Sequence, residues 1–297
     1  MKTFFECGVN LTDKMFKGIY NEKIKHSEDI LNVLNRAFHA GIEKLLILSS
    51  SLSDSYKSLE LLKMSDKLIM TVGCHPTNCN EMVIDTDKYI EGLRSIASNN
   101  SKVVAIGECG LDYDRENFCS KEIQKPHFEN QIKLAVELQL PLYLHCRAAH
   151  DDLIAVLKLY YKYLPVDRPG VVHTFDGTIQ QAEQLMEMGF YLGINGCSLK
   201  TDENLKVIKS LPLNRLVIET DAPWCDVRPS HAGYKYIKTF IESTKKEKWS
   251  EKCAIKGRNE PANLVQIYEI LCGIREETPD VISNILLLNS VKLFSRV

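Results

Sequence analysis

Eight short apolar runs, separated by longer stretches with helical spacing, constrain this chain more than any other feature of its sequence. The runs fall at 4–9, 44–49, 68–72, 103–107, 141–144, 170–172, 190–193 and 216–218. Most are apolar with little polar–apolar alternation, the pattern of parallel strands covered on both faces. The stretches between them read as amphipathic helices. Residues 27–40 place Ile30, Leu31, Leu34 and Ala37 on one stripe and end near Gly41, and residues 124–138 do the same with Phe128, Ile132, Ala135 and Val136. A third helix, 178–188, starts from a cap at Asp176 or Thr178 and stops before Gly189; a fourth occupies 202–209. Strands alternating with helices imply right-handed crossovers and a parallel sheet.

Eight such units favour a closed barrel over an open, doubly wound sheet. No Gly-x-Gly-x-x-Gly follows the first run, so a dinucleotide-binding reading lacks its phosphate loop. The length, 297 residues, suits one (β/α)₈ barrel. We therefore expect an α/β fold: a single-domain (β/α)₈ TIM-type barrel over residues 1–297. Residues 223–258 form a long stretch after the eighth run, expected to be an active-site lid or binding insertion. Apolar residues make up 44% and the net charge is −2, so any nucleic-acid contact must come from a local patch rather than a global field. The start, MKTFFECGVN, has only a brief apolar stretch, and no run approaches the length of a membrane span. The expectation is a soluble intracellular protein of the cytoplasm or nucleus with no membrane partner. The ten cysteines include no Cys-x-x-Cys pair, and Cys74 and Cys79 have no second pair to complete a zinc pattern. They read as small buried thiols.

In a parallel barrel the C-terminal ends of all strands share one face, where active sites sit. Here the residues that follow the apolar runs are Asn10, His75, Glu108, His145, His173, Asn195, Glu219 and Asp221. So many ligand types at one barrel mouth point to a metal site. A bridging carboxylate can hold two cations, imidazoles fix one of them, and a further carboxylate serves the other or the attacking water. Imidazole suits Zn and Mn, and carboxylates suit Mg and Mn, so the residue types leave the metal open. The flanks fit an anionic substrate. Arg147 lies two residues after His145, and Lys200 follows the seventh run. The insertion carries Lys245, Lys246, Lys248, Lys252, Lys256 and Arg258 against Glu247 and Glu251, and both tryptophans, Trp224 and Trp249, follow the eighth run. Cations beside aromatic rings match phosphate grip with base stacking, which makes Arg147, Lys200, Trp224 and Arg258 candidate substrate contacts.

The stretches GVNLTD, VGCHPT, VVAIGECGLD, LPLYLHCR, VVHTFDGT, NGCSLKT, IETDAPW and GRNEP run in order from Gly8 to Pro261. On these residues the chain resembles the TatD family of metal-dependent deoxyribonucleases, particularly its eukaryotic branch. The resemblance implies a TIM-type barrel of the metallo-dependent hydrolase type, a divalent-metal site and hydrolysis of DNA phosphodiesters, as a 3′→5′ exonuclease on single strands. The family's metal ligands map onto Glu108, His145, His173 and Asp221, and its histidine after the third strand maps onto His75, expected near the scissile phosphate. Many members carry His-x-His at the end of the first strand; here those positions are Gly8 and Asn10, so a second metal site nearer Asp221 should be weaker or more hydrated. Glu6 stands where an aspartate is usual, as a further candidate ligand.

The leading reading is a nuclease with Glu108, Asp221 and His75 as catalytic residues. It uses one or two divalent ions, Mg with Zn or Mn as alternatives, and acts as a monomer on DNA. An amidohydrolase-type enzyme cutting a small amide, lactone or ester is a second reading; the missing histidine pair, and Glu108 in place of a carbamylatable lysine, weigh against it. A non-catalytic nucleic-acid-binding protein is a third, opposed by retention of the four ligand types.

Overall fold

Each apolar run becomes a strand because its residues can be buried on both faces while the backbone pairs with neighbours on both sides. The computed structural model describes residues 2–296, so Met1 and Val297, which the expected domain bounds included, lie outside the described residues. The strands are β1 Phe4–Val9, β2 Ile42–Ile47, β3 Leu68–Val72, β4 Val103–Asp112, β5 Leu142–Arg147, β6 Gly170–Val172, β7 Tyr191–Ile194 and β8 Leu216–Ile218. They follow one another in chain order in a single eight-stranded sheet, the topology of a (β/α)₈ barrel. Just past β1 and β8 the chain pairs again. Val9 and Ala222 form a parallel bridge, Asn10 N donates to Ala222 O at 2.7 Å, and Asp221 N donates to Gly8 O at 2.9 Å.

The helices are α1 Ile30–His39, α2 Leu52–Leu61, α3 Thr86–Asn99, α4 Lys121–Leu138, α5 His150–Tyr160, α6 Ile179–Glu187, α7 Asp202–Ser210, α8 Leu264–Ile274 and α9 Pro279–Phe294. Thr178, not Asp176, caps α6. Its hydroxyl accepts from Gln181 N at 3.2 Å while the Gln181 side chain accepts from Thr178 N at 2.9 Å, a reciprocal capping box. Helix α2 buries Asp54, Ser55 and Ser58, so its inner face is polar and leaves little apolar stripe to read.

The contacts group the chain into two compact units. One comprises the described residues through Leu46, Thr174–Gly177 and Gly193–Ser290; the other comprises Ile47–His173, Thr178–Leu192 and the described residues from Val291 on. The first contains the segment 223–258, which holds the 3-10 turns Ala232–Tyr236 and Lys246–Lys248 and a two-residue parallel pairing of Ser243–Thr244 with Ala254–Ile255.

The second unit contains the β3–β6 ladder, and here two strands run longer than their apolar runs. β4 continues to Asp112 and β5 to Arg147, so Glu108 and His145 lie within strands rather than beyond them. Pairing persists through Cys109↔Leu144, Gly110↔His145, Leu111↔Cys146 and Asp112↔Arg147, after a register shift between Ile106 and Cys109. Such an irregularity re-aims a side chain, and the residues inside it are Gly107 and Glu108. Glycines permit the close approach of β4 to β5. Gly107 has φ +151° and a Cβ there would sit 2.3 Å from Tyr143 O; Gly110 has φ +138° and its Cβ would sit 2.0 Å from His145 O.

Gly110→Ala should therefore strain the backbone and push β4 from β5. We expect a loss of at least ~2 kcal/mol, since a disfavoured φ alone costs about 1–3 kcal/mol. Thermal unfolding of the variant checks this; an unchanged midpoint would mean the strands can separate at no cost.

Candidate metal centre

Within the second unit, β3, β4, β5 and β6 send side chains to one point. Glu108 is 6% exposed, and its Oε1 lies 2.9 Å from His173 Nε2, 3.0 Å from His145 Nδ1 and 3.4 Å from His75 Nε2. His145 Nδ1 and His173 Nε2 are 3.2 Å apart. His75, Glu108 and His145 each offer a ligand atom, and these atoms all lie within 4.8 Å of one another. On His75, Nδ1 accepts from Thr77 N at 3.2 Å and lies 2.7 Å from Thr77 Oγ1, which leaves the proton of the neutral ring on Nε2, facing Glu108.

The electrostatics follow from burial and neighbours. Burial penalises the charged form of Glu108, yet His173, His75 and His145 together hold its carboxyl well below the usual carboxylate range. Burial pushes His75 down to about 3, only partly opposed by Glu108, so this ring stays neutral. Burial opposes charging His145 as well, but the hydrogen bonds to Asp112 and Glu108 outweigh it and raise its pKa.

Asp112 was not among the expected site residues. It is fully buried, and its Oδ2 sits 3.0 Å from His145 Nε2, on the far side of the ring from Glu108. A carboxylate there fixes the tautomer that turns the Nδ1 lone pair inward, the usual partner of a metal-ligating histidine. The signal was present in the sequence: alternation along a strand puts residues 108, 110 and 112 on one face, provided the strand continues past Gly107. Helix α4 anchors this arrangement through two buried amides. Gln124 Oε1 accepts from Asp112 N at 2.8 Å and its Nε2 donates to Asp112 O at 2.9 Å. Seven residues further along, Gln131 brackets Cys74, just before His75, with bonds of 2.7 and 3.0 Å.

The first unit holds the remaining carboxylates. Asn10 Nδ2 donates to Asp221 Oδ1 at 2.8 Å, and the Cys225 thiol donates to Asp221 Oδ2 at 3.2 Å. Glu6 accepts through Oε1 from Gly8 N at 3.0 Å and Thr220 N at 2.9 Å, while its Oε2 is buried without a hydrogen-bond partner. Burial, aided by the nearby Glu219 charge, pushes the Glu6 carboxyl up to about 8 despite those two bonds. Glu219 accepts from Thr174 N at 2.8 Å and Asn195 Nδ2 at 3.0 Å.

The expected substrate contacts fare differently from one another. Trp224 is 53% exposed, its backbone pinned by Asn259 Nδ2 at 2.8 Å from Trp224 O. Lys200 is exposed, and the Arg147 side chain is 42% exposed with its guanidinium 3.6 Å from Asp112. Arg258, by contrast, is buried. Its guanidinium bonds both oxygens of Asp29 at 2.7 Å and Glu260 at 2.8 Å, and stacks 5.0 Å from the Phe16 ring centroid. Its donors point into the protein, so a grip on substrate phosphate is the one expectation that this placement opposes. Within the lysine-rich stretch, Trp249 stacks on His26 at 5.7 Å and Lys246 lies over Tyr20 at 4.9 Å.

The family model described as TatD related DNase matches residues 8–295. The chain belongs to this family. It is 42% identical to the Deoxyribonuclease Tat-D of Schizosaccharomyces pombe (strain 972 / ATCC 24843), over 99% of this chain and 96% of that protein. It is 33% identical to the 3′-5′ ssDNA/RNA exonuclease TatD of Citrobacter rodentium (strain ICC168), over 98% and 97% of the two. Among solved structures, a TatD family hydrolase from Entamoeba histolytica superposes with a TM-score of 0.93 at 36% identity, covering 99% of this chain and 98% of that one. For this TatD-family barrel, the donor chemistry of His75, Glu108 and His145 makes a candidate site for a divalent cation. No helix among the described residues is long and apolar enough to cross a membrane.

Removing Arg258 takes the bidentate partner from buried Asp29, while Arg36 still bonds Glu260 at 2.7 and 3.0 Å. Arg258→Ala should therefore lower stability by about 3–5 kcal/mol. Denaturant unfolding measures it. A variant that remains as stable as the unsubstituted protein but binds DNA poorly would return Arg258 to the substrate-contact role.

Proposed function

We propose that this chain is a divalent-metal-dependent deoxyribonuclease that shortens single-stranded DNA from its 3′ end. The observation that carries the reading is the buried Glu108 oxygen faced by three imidazole nitrogens, in a chain whose family includes proteins named deoxyribonuclease and 3′-5′ ssDNA/RNA exonuclease. In this reading residues 1–297 work as one domain and monomer, intracellularly, with 223–258 as an insertion beside the substrate.

Glu108, His145 and His173 would hold the cation, with His75 as an additional ligand or a contact to the scissile phosphate, and Asp221 would serve a second, weaker position. Mg is the proposed working ion, with Zn or Mn as alternatives, one or two per chain. When bound, such an ion neutralises phosphate charge and makes water easier to deprotonate. The protein's own residues do the rest. Asp112 keeps His145 in the ligating tautomer. Asp221, its two oxygens oriented by Asn10 and Cys225, accepts the proton of the attacking water. The water oxygen bonds to phosphorus, the bond to the 3′-oxygen breaks, and a 5′-nucleotide leaves. Arg147 and Lys200 offset phosphate charge, and the exposed Trp224 ring gives a base a stacking face. Arg258 works as a brace for Asp29 and Glu260.

The test is a gel assay with 5′-end-labelled single- and double-stranded DNA across Mg, Mn and Zn. A ladder of shortened single strands is expected; tight binding without turnover in every ion would overturn the enzyme reading. Asp221→Asn should retain bound metal and lose turnover by about 10²-fold or more, the scale of a general base. Glu108→Ala should lose the metal itself, which elemental mass spectrometry reads directly.

Asp112→Asn tests the positioning role separately. Metal affinity should weaken by about 10–100-fold while the fold stays intact. Unchanged affinity would mean that His145 is oriented without Asp112.

A further inference from the structure

Cys197 and Cys225 belong to the same compact unit, are both partly exposed, and are both free thiols with their sulfurs 3.0 Å apart. A disulfide bond is about 2.05 Å, so closure asks for a shift of only ~1 Å. The approach is built into the backbone. A Cβ at Gly196 would lie 2.0 Å from the Cys225 carbonyl oxygen, so the segment carrying Cys197 can pass this close to Cys225 only with glycine at that position. The Cys197 thiol donates to the Cys225 sulfur at 3.0 Å, and the Cys225 thiol donates in turn to Asp221 Oδ2 at 3.2 Å.

We propose that Cys197 and Cys225 are an oxidation site, where closure to a disulfide takes the Cys225 thiol away from Asp221 and slows hydrolysis. The second half rests on the reading of Asp221 as a catalytic group; the first half does not. The oxidant is a hydroperoxide. The Cys197 sulfur attacks the peroxide O–O bond, giving a sulfenic acid while the peroxide is reduced and one water departs. The Cys225 sulfur then attacks that sulfenic sulfur; the S–S bond forms, the S–O bond breaks, and the hydroxide leaves as a second water with the Cys225 proton. Two thiols lose two electrons and two protons, and hydrogen peroxide yields two waters. The contact with the Cys225 sulfur, with help from the Lys200 charge, outweighs burial and brings Cys197 down to about 7, which makes it the attacking sulfur. The exchange leaves Asp221 with Asn10 on Oδ1 and without the thiol donor on Oδ2.

The test begins with the full chain, reduced and Mg-loaded, treated with hydrogen peroxide, alkylated and digested. A cross-linked peptide pair joining Cys197 to Cys225, two hydrogens lighter than the reduced pair, is expected. Activity on single-stranded DNA should fall about tenfold, the scale of losing one hydrogen bond to a charged group, and return with dithiothreitol. C197S, with C197A as a second variant should it fold poorly, should keep its activity in peroxide. Alkylation of both thiols after peroxide treatment overturns the disulfide. Disulfide formation with undiminished activity overturns its effect on Asp221. Reduced protein with no activity at all counts against the nuclease reading alone, and the peptide map then still decides the disulfide.

Discussion

A carboxylate buried among imidazoles is the constraint on which much of this molecule depends. Placing a charge such as that of Glu108 in a barrel interior costs several kcal/mol unless partners surround it. The three rings supply the partners, and each must arrive from a different strand end. That requirement accounts for local features that would otherwise weaken a sheet: the register shift in β4, and the glycines at 107 and 110 where β5 passes almost in contact. Asp112 completes the set, since a histidine that turns one nitrogen inward must place the other against something.

The first unit meets a similar problem with different means. Glu6, Glu219, Asp29 and Glu260 are all buried. Asp29 and Glu260 are neutralised by Arg258, while Glu219 and Glu6 are held by backbone N–H groups and amide side chains. Asn10 stands where the family resemblance leads one to expect a histidine, and its amide donates to Asp221 instead of offering a lone pair. An amide in that position fixes a carboxylate but contributes no imidazole to a cation, which is the chemical content of the family departure seen in the sequence.

The fold was largely legible in the sequence because barrel strands are short, apolar and separated by helices, and four of the runs, 4–9, 68–72, 170–172 and 216–218, match their strands end to end. The strands that lengthened well past their apolar runs, β4 and β5, are those that carry the candidate ligands Glu108 and His145, because a polar side chain on the inner face ends the apolar pattern without ending the pairing. Asp112 was hidden for the same reason. Arg258 was misleading in another way: a cation in a lysine-rich stretch looks solvated, and although Glu260 is two residues away, only the tertiary structure brings Asp29 to it. The proximity of Cys197 and Cys225, twenty-eight residues apart, has no local sequence signature at all.

Gln124 and Gln131 lie seven residues apart on α4, close to two helical turns or about 10 Å along its axis. One bonds the backbone at Asp112 and the other the backbone at Cys74. A single rod is thus pinned at two points to the chain segments that carry two neighbours of Glu108, and the spacing of those segments is measured against the helix rather than against a ligand. The helix works as a gauge: the opening between His75 and the Asp112–His145 pair is set by two amides on one rod, before anything occupies it.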